Sequence, residues 1–217
     1  MKIYFVRHGQ PDYEKDCLTE LGHSQAAAAA ERLRDSGIER IFASTHGRAL
    51  ETAAHTADLL DLEVIPCDFM REIGWGPTGE EPLPFNGHPW TMSANHIANG
   101  ETLVDMNWRV NADYVNNQAV ARIKTVTDGL DAWLASLGYV REGEYYRVAG
   151  EQPYQTVAMF SHGGASISAF SHMFNVPFPQ SVAALCMNFT SVTVVNFEGE
   201  VGALTYPQLY LYDGMYL

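Results

Sequence analysis

Short apolar runs alternate with longer segments of helical pattern along the first third of the chain. Residues 2–6 have the composition of a buried strand, and the run stops abruptly at Arg7-His8-Gly9. Residues 20–34 follow the cap residue Thr19 and contain five consecutive alanines, which predicts a helix ending near Gly37. The order then repeats as a strand at 41–43, a helix at 48–60 and a strand at 63–66.

The alternation resumes after residue 117. Residues 118–137 keep apolar side chains at helical spacing, and residues 156–161 form an apolar run that ends at His162-Gly163-Gly164. After a further helix, strands are predicted at 191–197 and about 201–206. Because strands joined through helices usually pair in parallel, the pattern predicts an α/β fold with a mostly parallel sheet.

Between these regions the periodicity disappears. Residues 74–117 are rich in glycine, proline, asparagine and scattered aromatic residues. A stretch of this length without a clear period is typical of a functional lid or a small helical insertion. We therefore predict one domain over residues 1–217, with residues 76–118 as a lid or insertion within it.

The charge balance limits the partners that the protein can have. Its 217 residues include 13 Lys and Arg against 26 Asp and Glu, a formal net charge of −13. Such a surface repels nucleic acid and anionic membranes, so neither is expected as a partner. It also repels an anionic substrate, unless basic residues are concentrated at one spot.

Three cysteines, Cys17, Cys67 and Cys186, lack the spacing of a metal or redox motif. Each lies near an apolar stretch, which predicts free buried thiols in a reducing compartment. The first apolar run is too short for a signal peptide, and no run approaches the length of a membrane span, so a cytoplasmic location is expected. The oligomeric state stays open, with a homodimer as one option.

Polar side chains follow the predicted strands at positions that packing does not explain. His8 and His162 each follow a strand directly, and Arg48 comes soon after the strand that ends at Ser44. Singly, such a histidine is more often a structural residue and such an arginine a surface charge. Because parallel strands end at one edge of the sheet, we expect these side chains and Arg7 to converge in a cationic pocket that suits phosphate.

Five motifs, in order over residues 3–164, resemble those of the histidine phosphatase superfamily, the phosphoglycerate mutase-like proteins with an RHG motif. The resemblance implies a three-layer α/β sandwich, with a mostly parallel central sheet flanked by helices and a lid insertion. The motifs are Arg7-His8-Gly9, residues 18–26 (similar to LTxxGxxQA), residues 44–53 (similar to SxxxRAxET), Arg71-Glu72-Ile73-Gly74 and Ser161-His162-Gly163-Gly164.

The resemblance also implies a role for each site residue. His8 is the expected nucleophile that becomes phosphohistidine, while Glu72 is the expected general acid, with Glu80 or Glu81 as alternatives. The implied reaction is hydrolysis of a small phosphorylated metabolite without a cofactor or metal. Its phosphate-binding residues are Arg7, Arg48, His162 (as imidazolium) and Gly163.

The sequence departs from the family in two places. Many relatives carry a Thr or Ser and an Asn after the first motif, whereas this chain has Gln10-Pro11-Asp12-Tyr13. Where the family pattern continues after the acid with a WEG-like ending, this chain has Gly74-Trp75-Gly76-Pro77. Part of the phosphate shell is therefore expected to be rebuilt or missing, and the entrance of the lid is expected to depart from the family pattern.

Phosphatases and mutases share this chemistry, but a mutase must hold a second phosphate with additional cations. Residues 76–118 contain Arg109 as the one basic residue, so we expect this segment to repel bisphosphates and to favour a neutral, apolar or cationic alcohol. The acidic residues of the segment are Glu80, Glu81, Glu101, Asp105 and Asp113. Its large side chains, either substrate contacts or a small core of the insertion, are Phe85, Trp90, Met92, Trp108 and Tyr114.

Three alternatives to a phosphomonoesterase remain at this stage. One is phosphoglycerate mutase-type phosphoryl transfer, and another is a non-catalytic module that binds a phosphorylated ligand. The third is a zinc hydrolase in which His88 or His96 joins His8, His162 and Glu72, although the neighbouring arginines would repel the metal ion.

Overall fold

A six-stranded sheet forms the centre of the protein. The structure is a computed structural model that describes residues 1–214, without the side chain of Asp213. The strands are β1 (Lys2–Arg7), β2 (Pro11–Asp12), β3 (Cys17–Leu18), β4 (Arg40–Ala43), β5 (Val64–Pro66), β6 (Tyr139–Glu142), β7 (Tyr145–Val148), β8 (Thr156–Ser161), β9 (Val192–Asn196), β10 (Leu204–Thr205) and β11 (Gln208–Gly214). The helices are α1 (Glu20–Leu33), α2 (Gly47–Leu60), α3 (Pro89–Ala98), α4 (Gln118–Ser136), α5 (Gly163–Met173) and α6 (Phe178–Ala184), with 3-10 turns at Asp68–Met70, Pro84–Gly87 and Trp108–Val110.

The strand order of the central sheet is β11-β9-β1-β8-β4-β5. Strand β8 lies between β1 and β4 and is parallel to both, and β5 extends the parallel part beyond β4. Strand β9 is antiparallel to its two neighbours, β1 and β11. The predicted mostly parallel sheet is confirmed.

Helices cover both faces of the sheet. Alternate residues of β1 point to opposite sides, so each face of the sheet has apolar side chains for the helices to bury. Ile3 and Phe5 pack in a large hydrophobic cluster that includes residues of α4 and α5. Val6 packs in a second cluster that includes Leu33 of α1 and Ala53 of α2. The three-layer sandwich that the resemblance implies is therefore the observed architecture.

Several predicted elements agree with the structure to within one or two residues, including the helix that begins after Thr19. Features that were not predicted are the β2–β3 pair, α6, the β6–β7 hairpin, which β10 joins as a third strand, and the edge strand β11. Cys67 is buried as expected, but Cys17 is half-buried and Cys186 is exposed, so the prediction of buried thiols is wrong for Cys186. Cys186 follows the end of α6, where its side chain lines a surface cleft instead of the core.

The two ends of residues 76–118 meet at a hydrogen-bonded neck. The Thr78 amide donates to the Asn116 carbonyl at 2.8 Å, and the Gln118 amide donates to the Gly76 carbonyl at 2.8 Å. This segment contains α3, which packs against α6 and is fixed there by a hydrogen bond of 3.1 Å from Ser93 Oγ to the Pro179 carbonyl. We call residues 76–118 the insertion.

The large side chains of the insertion divide between two environments. Met92, Trp108 and Tyr114 are buried in the same hydrophobic cluster as the core of the domain, so they do not form a separate small core. Trp90 is partly buried and lines a cleft, whereas Phe85 is half exposed. None of the helices within residues 1–214 has both the length and the apolar composition needed to cross a bilayer.

Candidate active site

Two histidines meet where the central strands β1 and β8 end side by side. Arg7 is the register partner of Ser161, so the residues that follow, His8 and His162, leave the same edge of the sheet. The His8 amide donates to the Ser161 carbonyl at 2.9 Å, and the centroids of the two imidazole rings are 5.1 Å apart. Parallel pairing thus brings together two residues that are distant in sequence.

The next strand, β4, contributes the third side of the site. Ser44 Oγ lies 2.8 Å from Nε2 of His162, and α2 begins shortly afterwards at Gly47. From the first turn of α2, the buried Arg48 donates through Nε to Nε2 of His8 at 3.4 Å. The predicted convergence of Arg7, His8, Arg48 and His162 is observed.

His8 is held in one tautomer. Its Nδ1 lies 2.7 Å from the carbonyl oxygen of Gly9, which can only accept, so Nδ1 carries the proton. Nε2 therefore has the lone pair and accepts from Arg48. Burial lowers the pKa of His8 to about 3, and the charges of Arg7 and Arg48 act in the same direction, so the imidazole is neutral at neutral pH.

Arg7 is fixed by backbone and aromatic contacts at the end of β1. One guanidinium nitrogen donates to the carbonyl oxygen of Met187, and the guanidinium carbon lies 4.4 Å above the ring of Phe189. Gly163, the first residue of α5, lies against the guanidinium: a Cβ there would be 3.6 Å from its central carbon. The first amides of a helix suit an anion, so Arg7 and Gly163 together form a wall that can receive one.

Glu72 lies across from these groups and joins Arg7 in the lining of one cleft. Its carboxylate accepts from the amides of Gly164 at 3.2 Å and Ala165 at 2.9 Å, at the start of α5. Burial raises the pKa of Glu72, despite these hydrogen bonds and the charge of Arg7, which act in the opposite direction. The alternatives Glu80 and Glu81 are exposed and are not among the residues that line the cleft.

Asp16 is a site residue that the sequence reasoning missed. It lies in the turn between β2 and β3, pairs with the guanidinium of Arg48, and accepts from the Gly47 amide at 2.9 Å and from His46 Nδ1 at 3.1 Å. A Cβ on Gly47 would collide with the carbonyl oxygen of Asp16, so the glycine permits this close approach. The sequence signal was weak, because an aspartate in a polar turn is usually a solvated charge.

The sequence profile of the histidine phosphatase superfamily (branch 1) matches residues 3–112, which hold the RHG motif, Arg48 and Glu72. The chain belongs to this superfamily. A probable phosphoglycerate mutase, GpmB, of Yersinia pestis is 33% identical over 92 residues, covering 38% of this chain and 43% of the relative. The match thus spans less than half the length of that curated relative.

Solved structures of similar fold include other histidine phosphatase superfamily members. A mycobacterial glucosyl-3-phosphoglycerate phosphatase, solved with vanadate, has a TM-score of 0.64 at 22% identity and covers 99% of both chains. A phosphoserine phosphatase of Entamoeba histolytica, solved with 3-phosphoglyceric acid, has a TM-score of 0.63 at 20% identity, covering 99% of this chain and 97% of the other. At these identities, the similarity establishes a shared fold.

Burial also determines the charge on His162 in this histidine phosphatase superfamily member. It lowers the pKa of His162 well below its usual range, and the charge of Arg48 acts in the same direction. The imidazole is therefore neutral in this structure, and an imidazolium beside a bound phosphate stays a prediction. Two buried polar atoms at the site, His162 Nδ1 and Arg7 Nε, have no hydrogen-bond partner among residues 1–214, which fits a site that receives an anion.

The insertion of this superfamily member contributes fewer groups to the cleft than the sequence suggested. The acidic residues of the insertion are not among the described residues that line the cleft, and the repulsion of bisphosphates that was expected from them stays a prediction. Asp113 and Glu101 pair instead with His96, at 2.8 Å and 3.2 Å. His88 caps α3 by accepting from the Thr91 amide, so both histidines of the zinc alternative make contacts within the insertion.

Proposed function

We propose that the protein is a phosphomonoesterase that hydrolyses a small phosphorylated metabolite through a phosphohistidine on His8. The observation that carries the proposal is the neutral His8 imidazole, whose unprotonated Nε2 faces Arg48 beside a second histidine. A neutral imidazole with its lone pair aimed into a cationic site suits nucleophilic attack on phosphorus.

In the first step, the lone pair of His8 Nε2 forms a bond to phosphorus while the bond from phosphorus to the alcohol oxygen breaks. The departing oxygen keeps the electron pair of that bond and takes a proton from Glu72. The raised pKa of Glu72 favours the protonated form that this step requires. Arg7, Arg48 and the amide of Gly163 stabilise charge on the non-bridging oxygens.

In the second step, the ionised Glu72 takes a proton from water. The water oxygen bonds to phosphorus, the bond from phosphorus to Nε2 breaks, and its electron pair returns to the imidazole, so that inorganic phosphate leaves. A bound phosphate dianion also raises the pKa of His162, which favours the imidazolium, with an N–H donor on each ring nitrogen, when substrate is present. The uncharged His162 of this structure is compatible with that role.

The charge of the cleft favours hydrolysis over mutase chemistry. A mutase must retain a second phosphate, whereas Arg7 is the one arginine or lysine among the described residues that line the cleft. We also propose that the insertion forms the outer wall of the substrate cleft through Trp90, and that the enzyme acts in the cytoplasm, where three free cysteines stay reduced.

The test is to trap the intermediate with a radiolabelled aryl phosphate by rapid quench. We expect an acid-labile, base-stable phosphoenzyme in the wild type, label released as orthophosphate, and loss of turnover by about a thousandfold or more in His8→Ala. His55→Ala, which changes a half-buried histidine of α2 that contacts His23 and not the candidate site, is the matched control and should keep wild-type turnover.

Other outcomes would point to the remaining candidates. An acid-stable adduct, or turnover without any adduct, would require a different nucleophile. Label transferred to an added phosphoglycerate in preference to water would identify a mutase. Binding of orthophosphate without turnover of any ester would indicate a non-catalytic module.

A further inference from the structure

The substrate cleft has walls of unequal chemistry. It has a volume of about 480 Å³, and Arg7 and Glu72 are among its lining residues. Trp75 and Trp90 form one part of the lining, and small and aliphatic residues of α5 and α6 form another. These aliphatic residues are Ile167, Val182, Ala183 and Ala184, and the chain continues along the cleft through residues 185–187.

The charged groups of this lining are already occupied by the chemistry at phosphorus. Among the described residues that line the cleft, Arg7 is the one Arg or Lys and Glu72 is the one Asp or Glu. Arg7 is tied to the Met187 carbonyl and Glu72 to the start of α5. A carboxylate or second phosphate on the alcohol would therefore lose its hydration without gaining a cation of its own.

The two tryptophans are held in place before any substrate arrives. The ring of Trp75 meets His88 edge to face, with centroids 4.6 Å apart, and lies 6.1 Å from the ring of Trp90. Trp75 keeps 37% of its surface exposed, and Trp90 is partly buried. A flat apolar group can thus bury area against this surface at low entropic cost.

We propose, on the basis of the proposed function, that the alcohol released by this phosphatase is uncharged and carries an aromatic or similarly flat apolar group. The phosphate end binds at Arg7, Arg48 and His8, while the alcohol lies between the tryptophans and the aliphatic residues of α5 and α6. Specificity then arises from apolar contact on one side and from the lack of a second cation on the other.

Esters with matched leaving groups test this proposal without differences in intrinsic reactivity. Three substrates have similar benzylic alcohols that differ in the charge of their ring substituent: benzyl phosphate, 4-carboxybenzyl phosphate and 4-(methoxycarbonyl)benzyl phosphate. We expect kcat/KM for the two phosphates with an uncharged alcohol to exceed that for 4-carboxybenzyl phosphate by about tenfold or more, because the carboxylate is left unpaired in the cleft. Equal or better turnover of the carboxylate would overturn the proposal.

A substitution at the rim of the cleft should reverse the preference. Ala184 is the exposed last residue of α6 and lines the cleft, so Ala184→Arg places a guanidinium there without disturbing the core. We expect Ala184→Arg to raise kcat/KM for 4-carboxybenzyl phosphate by about tenfold relative to benzyl phosphate. Ala184→Gln, which adds length without charge, should leave the ratio near that of the wild type; an equal change in both variants would contradict the electrostatic argument.

Binding of phosphonates separates this inference from the proposed reaction. Benzylphosphonate and 4-carboxybenzylphosphonate cannot be hydrolysed, so calorimetry with them reports the preference of the cleft even if no ester is turned over. Absence of turnover with tighter binding of benzylphosphonate would reject the proposed reaction and support the inferred specificity. Preference for the carboxylated phosphonate, or no binding of either, would reject the inferred specificity.

Discussion

At the scale of single residues, His8 combines a buried position with a fixed tautomer. The carbonyl oxygen of Gly9 holds the proton on Nδ1, and the surrounding protein and the arginines disfavour a second proton. A nucleophilic imidazole must remain unprotonated at working pH, so the same burial that costs solvation favours the role that we propose for His8. This arrangement links the reactivity of His8 to the stability of the fold.

The low pKa of His8 predicts acid sensitivity. Its pKa falls from 6.5 to about 3 on folding, so the unfolded state binds a proton that the folded state does not bind as pH falls through this window. The contribution of His8 to the free energy of unfolding is fully present above the unfolded pKa of 6.5, and it is lost as pH decreases towards the folded pKa of about 3. Between about pH 7 and about pH 5, His8 should reduce the free energy of unfolding by on the order of 1–2 kcal/mol.

Urea unfolding of the wild type and of His8→Asn at these two pH values measures that contribution. The free energy of unfolding should fall less in His8→Asn than in the wild type when the pH is lowered, whatever the cost of the substitution itself. His55→Asn provides the control, since this half-buried residue of α2 contacts His23 and not the candidate site. Parallel pH profiles for the wild type and His8→Asn would show that His8 is readily protonated in the folded state.

At the scale of elements, the β2–β3 turn fixes the start of α2. The carboxylate of Asp16 holds Arg48, His46 and the Gly47 amide together, and α2 has no side-chain cap from its own N-cap residue, His46. Asp16 thus substitutes for a local cap and orients Arg48 towards Nε2 of His8. In the proposed reaction Asp16 is a positioning residue, because it reaches the proposed phosphate site through Arg48.

Asp16→Ala should therefore impair catalysis from a distance. We expect kcat/KM to fall by about tenfold, since a misplaced guanidinium stabilises the transition state poorly. Hydrogen exchange at the Gly47 amide should accelerate, which a loss of charge alone would not cause. Asp16→Asn keeps an acceptor for that amide and should recover part of the exchange protection.

Asp12→Ala is the matched control, because Asp12 lies in the same hairpin and its carboxylate accepts from the Glu14 and Lys15 amides instead of from α2. Wild-type kcat/KM in Asp16→Ala would mean that other contacts fix Arg48.

At the scale of the whole molecule, an acidic protein concentrates positive charge at one site. The formal net charge is −13, yet Arg7 and Arg48 converge at the end of the sheet, and the acidic residues of the insertion do not line the cleft. Discrimination against additional anionic groups is therefore assigned to the lining of the cleft itself. The charge of the insertion acts from farther away, through solvent that screens it.

Neutralising the exposed Glu80 and Glu81 should consequently have little effect. The double variant Glu80→Gln/Glu81→Gln should change kcat/KM for 4-carboxybenzyl phosphate by less than about twofold at physiological salt, where the screening length is about 8 Å. Steady-state kinetics at low and physiological salt measure this change, with benzyl phosphate as the reference substrate. Recovery of the carboxylated ester to the level of benzyl phosphate would place these glutamates over the cleft in solution.

The sequence by itself determined the main architecture and the location of the candidate site. The residue types in the apolar run before Arg7 and in the alanine-rich segment after Thr19 indicate a strand and a helix without reference to any distant residue. The edge at which parallel strands end then follows from topology, which is why His8 and His162 were expected to meet. Short strands with charged residues, such as β6 and β7, do not have a pattern strong enough to distinguish them from loops.

Only the tertiary structure decided how the site is completed. Asp16, the Met187 carbonyl and the lining of the cleft depend on how turns and loops far apart in sequence pack together, and no local period encodes that packing. The acidic residues of the insertion illustrate the same limit: their charge was evident from the sequence, but their position was not. Solvation and distance, which determine the pKa of Glu72 and the reach of a surface charge, exist only once the chain has folded.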